Sequence, residues 1–144
     1  MNRNSNYRLL VDSGFFFALF NPRDQRHEDA CEKQEWLDIL ALVMPWPTLY
    51  ETVNTRFVRQ RETIARFESI MRAPGTEFLD DNPYRLTAYN YTIEQAKTRH
   101  HALSLVDSVL CAILDDVNVR IDAMLTFNHR DFADVCRTQN VELL

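Results

Sequence analysis

The residues of this 144-residue chain best suited to chemistry are Asp12, Glu51 and Asp107, with Asn128 and Asp131 further on. All are hard oxygen donors, the type a small divalent cation takes in preference to nitrogen or sulfur. Each also has a purely structural reading. Asp12 or Ser13 can cap the helix that follows; Thr48-x-x-Glu51 has the form of a capping box; Ser104-x-x-Asp107 and Asn128-x-x-Asp131 nearly share it. Asp107 is the hardest to leave there. It stands in Leu105-Val106-Asp107-Ser108-Val109, and a carboxylate on an apolar turn costs free energy unless something positive answers it. No Lys or Arg is close in sequence, and a divalent cation would supply the charge.

Positioning these residues falls to an alternation of short apolar runs and amphipathic stretches. Tyr7 to Val11 reads as a buried strand that stops at Asp12-Ser13-Gly14, and Phe15 to Phe20 continues as a helix ending at Asn21-Pro22. Asp24 then caps a long helix with Ala30, Trp36, Leu37, Leu40 and Ala41 at helical spacing, stabilised at its start by His27. Val43 to Trp46 is a second strand, and Thr48 opens a helix carrying Val53, Phe57 and Val58 inward. A helix over Glu62 to Met71, a brief strand over Thr76 to Leu79 and a helix from Pro83 to about His100 follow. Ser104 to Leu114 is an apolar helix, Ile121 to Phe127 a strand, Asn128 to Arg137 a helix, and Val141 to Leu144 a last strand.

Strands alternating with helices imply parallel pairing, and so an α/β fold: a three-layer α/β/α sandwich, one domain over residues 1–144. Open parallel sheets place ligands outside the carboxyl ends of their strands, and four segments qualify: Asp12, Glu51, Asp107 at the start of the helix after Ser104, and Asn128 with Asp131.

Composition narrows the alternatives. The chain is 46% apolar and 26% charged, which excludes disorder and low-complexity classes. Its longest uncharged stretch, Ile39 to Tyr50, is too short to span a bilayer, and no basic-then-apolar leader opens the chain, so a soluble, cytoplasmic protein is expected. Cys31, Cys111 and Cys136 form no Cys-x-x-Cys pair and read as buried thiols in a reducing compartment. The net charge of -5 excludes a general basic coat, yet the cations are Arg except for Lys33 and Lys97, which suits local phosphate recognition.

Taken in order, Leu-Leu-Val-Asp12-Ser-Gly, Asp24-x-x-His27-x-x-Ala30, Thr48-x-x-Glu51, Leu-Ser-Leu-Val-Asp107-Ser and Leu125-Thr-Phe-Asn128-His-Arg-Asp131-Phe resemble the PIN-domain ribonucleases, particularly the VapC-type toxins of bacterial toxin-antitoxin pairs. The resemblance covers essentially the whole chain. It implies that Asp12, Glu51 and Asp107 hold one or two Mg²⁺ or Mn²⁺ ions, with Asn128 at a fourth position where many relatives carry Asp, and Asp131 near enough to make up that charge. It also places Ser13 and Thr126 beside the metal centre, and implies metal-assisted hydrolysis of RNA, a homodimer and a small antitoxin protein as partner.

RNA contact would need positive charge beside the acidic centre. Arg56, Arg59 and Arg61 are candidates, with Lys97, Arg99, His100 and His101, and a solvated helix face explains them equally well. Tyr50 and Phe57 are placed for base stacking. Two other classes stand beside the nuclease. A haloacid-dehalogenase-type phosphatase needs a second Asp where Gly14 stands, and a receiver domain needs an acidic pair and a late Lys that are missing. A catalytically weak interaction module on the same fold is the remaining alternative, and metal affinity separates it from a nuclease.

Overall fold

The computed structural model describes residues 6–144; residues 1–5 of the expected domain lie outside the described residues. Five strands, β1 (Arg8–Val11), β2 (Ala41–Pro45), β3 (Glu77–Leu79), β4 (Ala123–Leu125) and β5 (Glu142–Leu143), form one sheet in the order β3-β2-β1-β4-β5. Every pairing is parallel, as the alternation of elements predicts. Leu9 pairs with Leu42 on one side and Ala123 on the other, which fixes the register at the sheet centre.

The side chains of a strand alternate between faces, so the short strands feed two cores. Leu9, Val11, Leu42 and Leu125 pack with Phe15, Phe16 and Leu19 of α1 (Ser13–Phe20) and with Phe67 of α6 (Arg61–Met71). Leu10, Val43 and Met124 pack instead with Val109, Leu110 and Ile113 of α8 (Leu105–Asp115) and with Phe132 and Cys136 of α9 (His129–Thr138). Helices therefore cover both faces, the three-layer α/β/α sandwich expected. Each fully buried Leu or Phe among these contributes roughly 1.5–3 kcal/mol.

Several boundaries differ from those the sequence suggests. The long helix after Asp24 is two, α2 (His27–Lys33) and α3 (Glu35–Ile39), because Gln34 and Leu37 bond to carbonyls three residues back and tighten the ladder. Asp24 does not cap it; its carboxylate accepts from the backbone of Arg26 in a turn ahead of the helix. The next helix, α4 (Trp46–Thr52), starts two residues before Thr48, since Pro47 suits a first turn whose N–H groups have no helical partner. The Thr48 capping box thus does not form, and the Thr48 hydroxyl is buried without a partner.

Asn54 ends that segment by capping a separate helix, α5 (Thr55–Val58), which turns Phe57 inward and leaves Val53 and Val58 exposed. Phe57 is consequently core and unavailable for stacking, whereas Tyr50 and Trp46 are exposed. A 3-10 turn (Asn82–Tyr84) precedes α7 (Arg85–Thr98). Among the described residues no helix is long and apolar enough to cross a membrane.

Candidate active site

Strand order reverses around β1: the chain builds β2 and β3 on one side, then returns to place β4 on the other. The crevice at such a switch point is where open α/β sheets bind ligands. Asp12 leaves β1 there, with its backbone N–H donating to Leu125 of β4 at 3.0 Å. Its carboxylate accepts from the N–H of Ser13 at 2.8 Å, capping α1, and from the hydroxyl of Thr126 at 2.8 Å. Burial pushes the Asp12 carboxyl above its ordinary range, against the opposing pull of those two bonds. The Ser13 hydroxyl donates to Oε2 of Glu51 at 2.8 Å, so α1 and α4 are joined at the same crevice.

Asp107 enters from α8, whose N-terminus Ser104 caps by accepting from the Asp107 N–H at 3.1 Å. Burial, then the charge of Asp12, pushes the Asp107 carboxyl up to about 6, with Glu51 and Asp131 adding to the rise and a bond from Ser104 opposing it. Among the described residues no Lys or Arg lies within ion-pair distance of it.

Asn128 and Asp131 complete the wall differently from the simple capping form. Asn128 heads α9 without a side-chain cap; its Nδ2 donates to Oδ2 of Asp131 at 2.8 Å and its backbone N–H to the Thr126 hydroxyl at 2.9 Å. Nε2 of His101 lies 2.8 Å from Oδ1 of Asp131. Burial would raise the Asp131 carboxyl, but the bonds from Asn128 and His101 outweigh it and hold it below the ordinary range. Asp131 is therefore already answered by two neighbours. His101, read from sequence as a helix-end residue, is part of this wall; a separation of 30 positions hides the pairing from any short motif.

Asp12, Ser13, Glu51, Thr126, Asn128 and Asp131 are thus linked by hydrogen bonds, with Asp107 in the same electrostatic field. Still, among the described residues no three His, Cys, Asp or Glu side chains are gathered closely enough to cage a metal ion.

Neither a family sequence profile nor a curated protein sequence matches the chain. Solved structures do. VapC20 of Mycobacterium tuberculosis, a sarcin-ricin-loop-cleaving toxin, superposes with a TM-score of 0.65 over 88% of this chain and 94% of its own, at 18% identity. The chain has a VapC-like PIN-domain fold. VapBC2 of Rickettsia felis, solved bound to a DNA fragment from its promoter, superposes with a TM-score of 0.59, covering 95% of this chain and 97% of that one at 9% identity.

In this VapC-like fold the basic candidates divide. Arg56 and Arg59 are exposed at α5, and among the described residues neither has a carboxylate at ion-pair distance. Arg56 lines a cavity of about 480 Å³ with Phe17, Phe20 and Gln60. Lys97 approaches Glu94 instead. Arg99 and His101, with Arg130 and Tyr91, line a second cavity of about 490 Å³ between α7, α8 and α9.

The cysteines depart from the expectation of three buried thiols. Cys136 is buried and Cys111 half-buried, but Cys31 is exposed, because its position on α2 faces away from the sheet while Ala30 faces it. His27 does not engage Asp24 through its ring; Nδ1 lies 2.8 Å from the carbonyl of Ala18.

Proposed function

We propose that this chain, acting as one domain over residues 1–144, is a divalent-metal-dependent endoribonuclease and the toxin of a toxin-antitoxin pair. One observation carries the reading: Asp107, a half-buried carboxylate in the field of Asp12, Glu51 and Asp131 with no cationic partner among the described residues. Such an arrangement is costly in a structural role and useful in a metal site. The donors are hard oxygens throughout, which fits Mg²⁺ or Mn²⁺ and not a thiophilic ion. Asp12, Glu51 and Asp107 would hold the ion, with the amide oxygen of Asn128 beside them, since Asn128 has committed its Nδ2 to Asp131. When bound, the ion lowers the pKa of a ligated water and stabilises charge on the departing oxygen.

The protein's own part is orientation. Ser13 and Thr126 hold Glu51 and Asp12 by hydrogen bonds, so that little rearrangement is left for the reaction. Arg56 and Arg59, exposed on the segment that follows Glu51 in the chain, would neutralise RNA phosphates that the acidic crevice otherwise repels. A homodimer, an antitoxin that covers the crevice, and action in the cytoplasm complete the proposal by analogy with VapC-type proteins.

The lack of three closely gathered acidic side chains among the described residues favours a second reading, an interaction module that keeps the fold with little catalysis. Incubating the purified protein with single-stranded RNA in Mg²⁺ or Mn²⁺, in parallel with EDTA and with Asp107→Asn, decides between them. Cleavage confined to the metal-loaded parent supports the nuclease. Cleavage that survives EDTA or Asp107→Asn, or Mn²⁺ binding with no cleavage of any RNA, overturns it.

A further inference from the structure

The cavity of about 490 Å³ between α7, α8 and α9 has the volume of a small-molecule site and a chemistry unlike that of the acidic crevice. Ala88, Leu103, Ala112 and Val135 give it an apolar lining, and Tyr91 of α7 lines it while remaining exposed. Its charges do not cancel. Three carboxylates line it and each has a partner: Asp131 has Asn128 and His101, Asp134 has Arg137 at 2.6 Å, and Asp115 accepts from the side-chain amide of Gln139 at 2.8 Å. Arg99 and Arg130 line it too, and among the described residues neither has a carboxylate at ion-pair distance. The cavity also shares a wall with the crevice. His101 and Asp131 belong to its lining, and Asp131 is bonded to Asn128 and acts on the charge of Asp107.

We propose that this cavity holds one nucleotide of a single-stranded RNA, its base against Tyr91 and the apolar lining and its phosphate on Arg99 and Arg130. The inference rests on the nuclease reading for its ligand, and adds where the strand runs beside the crevice. An aromatic face for the base and cations for the backbone are the two means by which single strands are held without sequence readout. Guanidinium suits the second, because its fork donates two parallel bonds to a phosphate. Other occupants answer only half of the site. An inorganic anion leaves Tyr91 and the apolar lining uncovered, and an apolar ligand leaves two arginines without counter-charge. A duplex keeps its bases stacked on one another and has none to offer.

The test is fluorescence anisotropy of a short, labelled single-stranded RNA of mixed sequence with the full chain in EDTA, so that binding is read without cleavage. Arg99→Ala and Arg130→Ala should each weaken binding by about tenfold and lower the slope of log affinity against log salt by about 0.7 for each phosphate released. Tyr91→Ala should weaken it by about tenfold with the salt slope unchanged, and Tyr91→Phe, which keeps the ring, should restore it. The same RNA annealed to its complement should compete about tenfold more weakly. All three side chains are exposed, so the unfolding midpoint should not move. A parent that cleaves RNA in Mn²⁺ while the Arg99, Arg130 and Tyr91 variants bind RNA as tightly as it does overturns the nucleotide site alone. Binding lost equally in Tyr91→Phe and Tyr91→Ala, or a parent that binds no RNA, also overturns it. A parent that binds RNA through these residues and cleaves none in metal supports the site and overturns the nuclease reading.

Discussion

The hydroxyl of Thr126 donates to Oδ2 of Asp12 at 2.8 Å, tying the carboxyl end of β4 to that of β1 across 114 residues of chain. It satisfies a buried acceptor, and with the Ser13 N–H it keeps the Asp12 carboxylate facing the crevice. Thr126→Val, nearly the same shape without the donor, is expected to destabilise the protein by ~1–3 kcal/mol in urea unfolding, while Thr126→Ser stays close to the parent.

Asp107→Asn should separate stability from activity. Its carboxyl is raised to about 6, so ionising it costs more in the folded chain than in the unfolded one, and above that pH the folded protein carries the cost. At about 1.4 kcal/mol per pKa unit, discounted for partial solvent screening, the amide should stabilise the metal-free protein by ~1–2 kcal/mol at pH 8. RNA cleavage should fall by about a hundredfold or more at the same time. Paired unfolding and cleavage assays check both directions.

The same shift sets a pH dependence. Because the folded-state value lies above the ordinary 3.8, the folded protein holds a proton the unfolded chain has already lost between that value and about 6. The contribution to stability is full below the unfolded value and is lost as pH rises through about 6. Metal binding runs the opposite way, since a ligand carboxylate must be ionised. Calorimetric titration with Mn²⁺ should show affinity about tenfold weaker at pH 5 than at pH 7, and Asp107→Asn should flatten that difference.

Asn128→Asp replaces a donor to Asp131 with a second carboxylate. Without metal, unfolding should require ~1–3 kcal/mol less, from the lost bond and the new repulsion. With Mn²⁺ the added charge should tighten binding. Weaker Mn²⁺ binding in this variant would place Asn128 outside the ligand set.

Arg56→Ala and Arg59→Ala should leave the unfolding midpoint unchanged, both side chains being exposed. Each should raise KM for RNA with little change in kcat. The slope of log affinity against log salt should fall by about 0.7 for every phosphate of a single strand that the variant no longer neutralises. Filter binding over a salt series measures it.

The parallel pairing of the strands was legible in the sequence, because apolar runs punctuated by polar turns are local signals and alternation with helices leaves room only for crossover connections. So was the position of Asp12 at a strand end, since Val11 closes an apolar run and Asp12 opens a turn. The start of α4 was misplaced because Pro47 and Thr48 both carry start signals and only packing chose between them. The exposure of Cys31 was equally hidden, since on a seven-residue helix the neighbouring Ala30 alone shows which face meets the core.

What the sequence determined by itself is which carboxylates and amides stand near strand ends: a matter of local pattern. The tertiary structure alone decided their partners. Ser13 reaches Glu51, Thr126 reaches Asp12, His101 reaches Asp131 and His27 reaches the Ala18 carbonyl. Three of these bonds cross between elements dozens of residues apart, and the fourth spans the turn from α1 to α2. Each depends on sheet register and helix packing to within about the half-ångström range over which a hydrogen bond forms or fails, and no spacing along the chain encodes that.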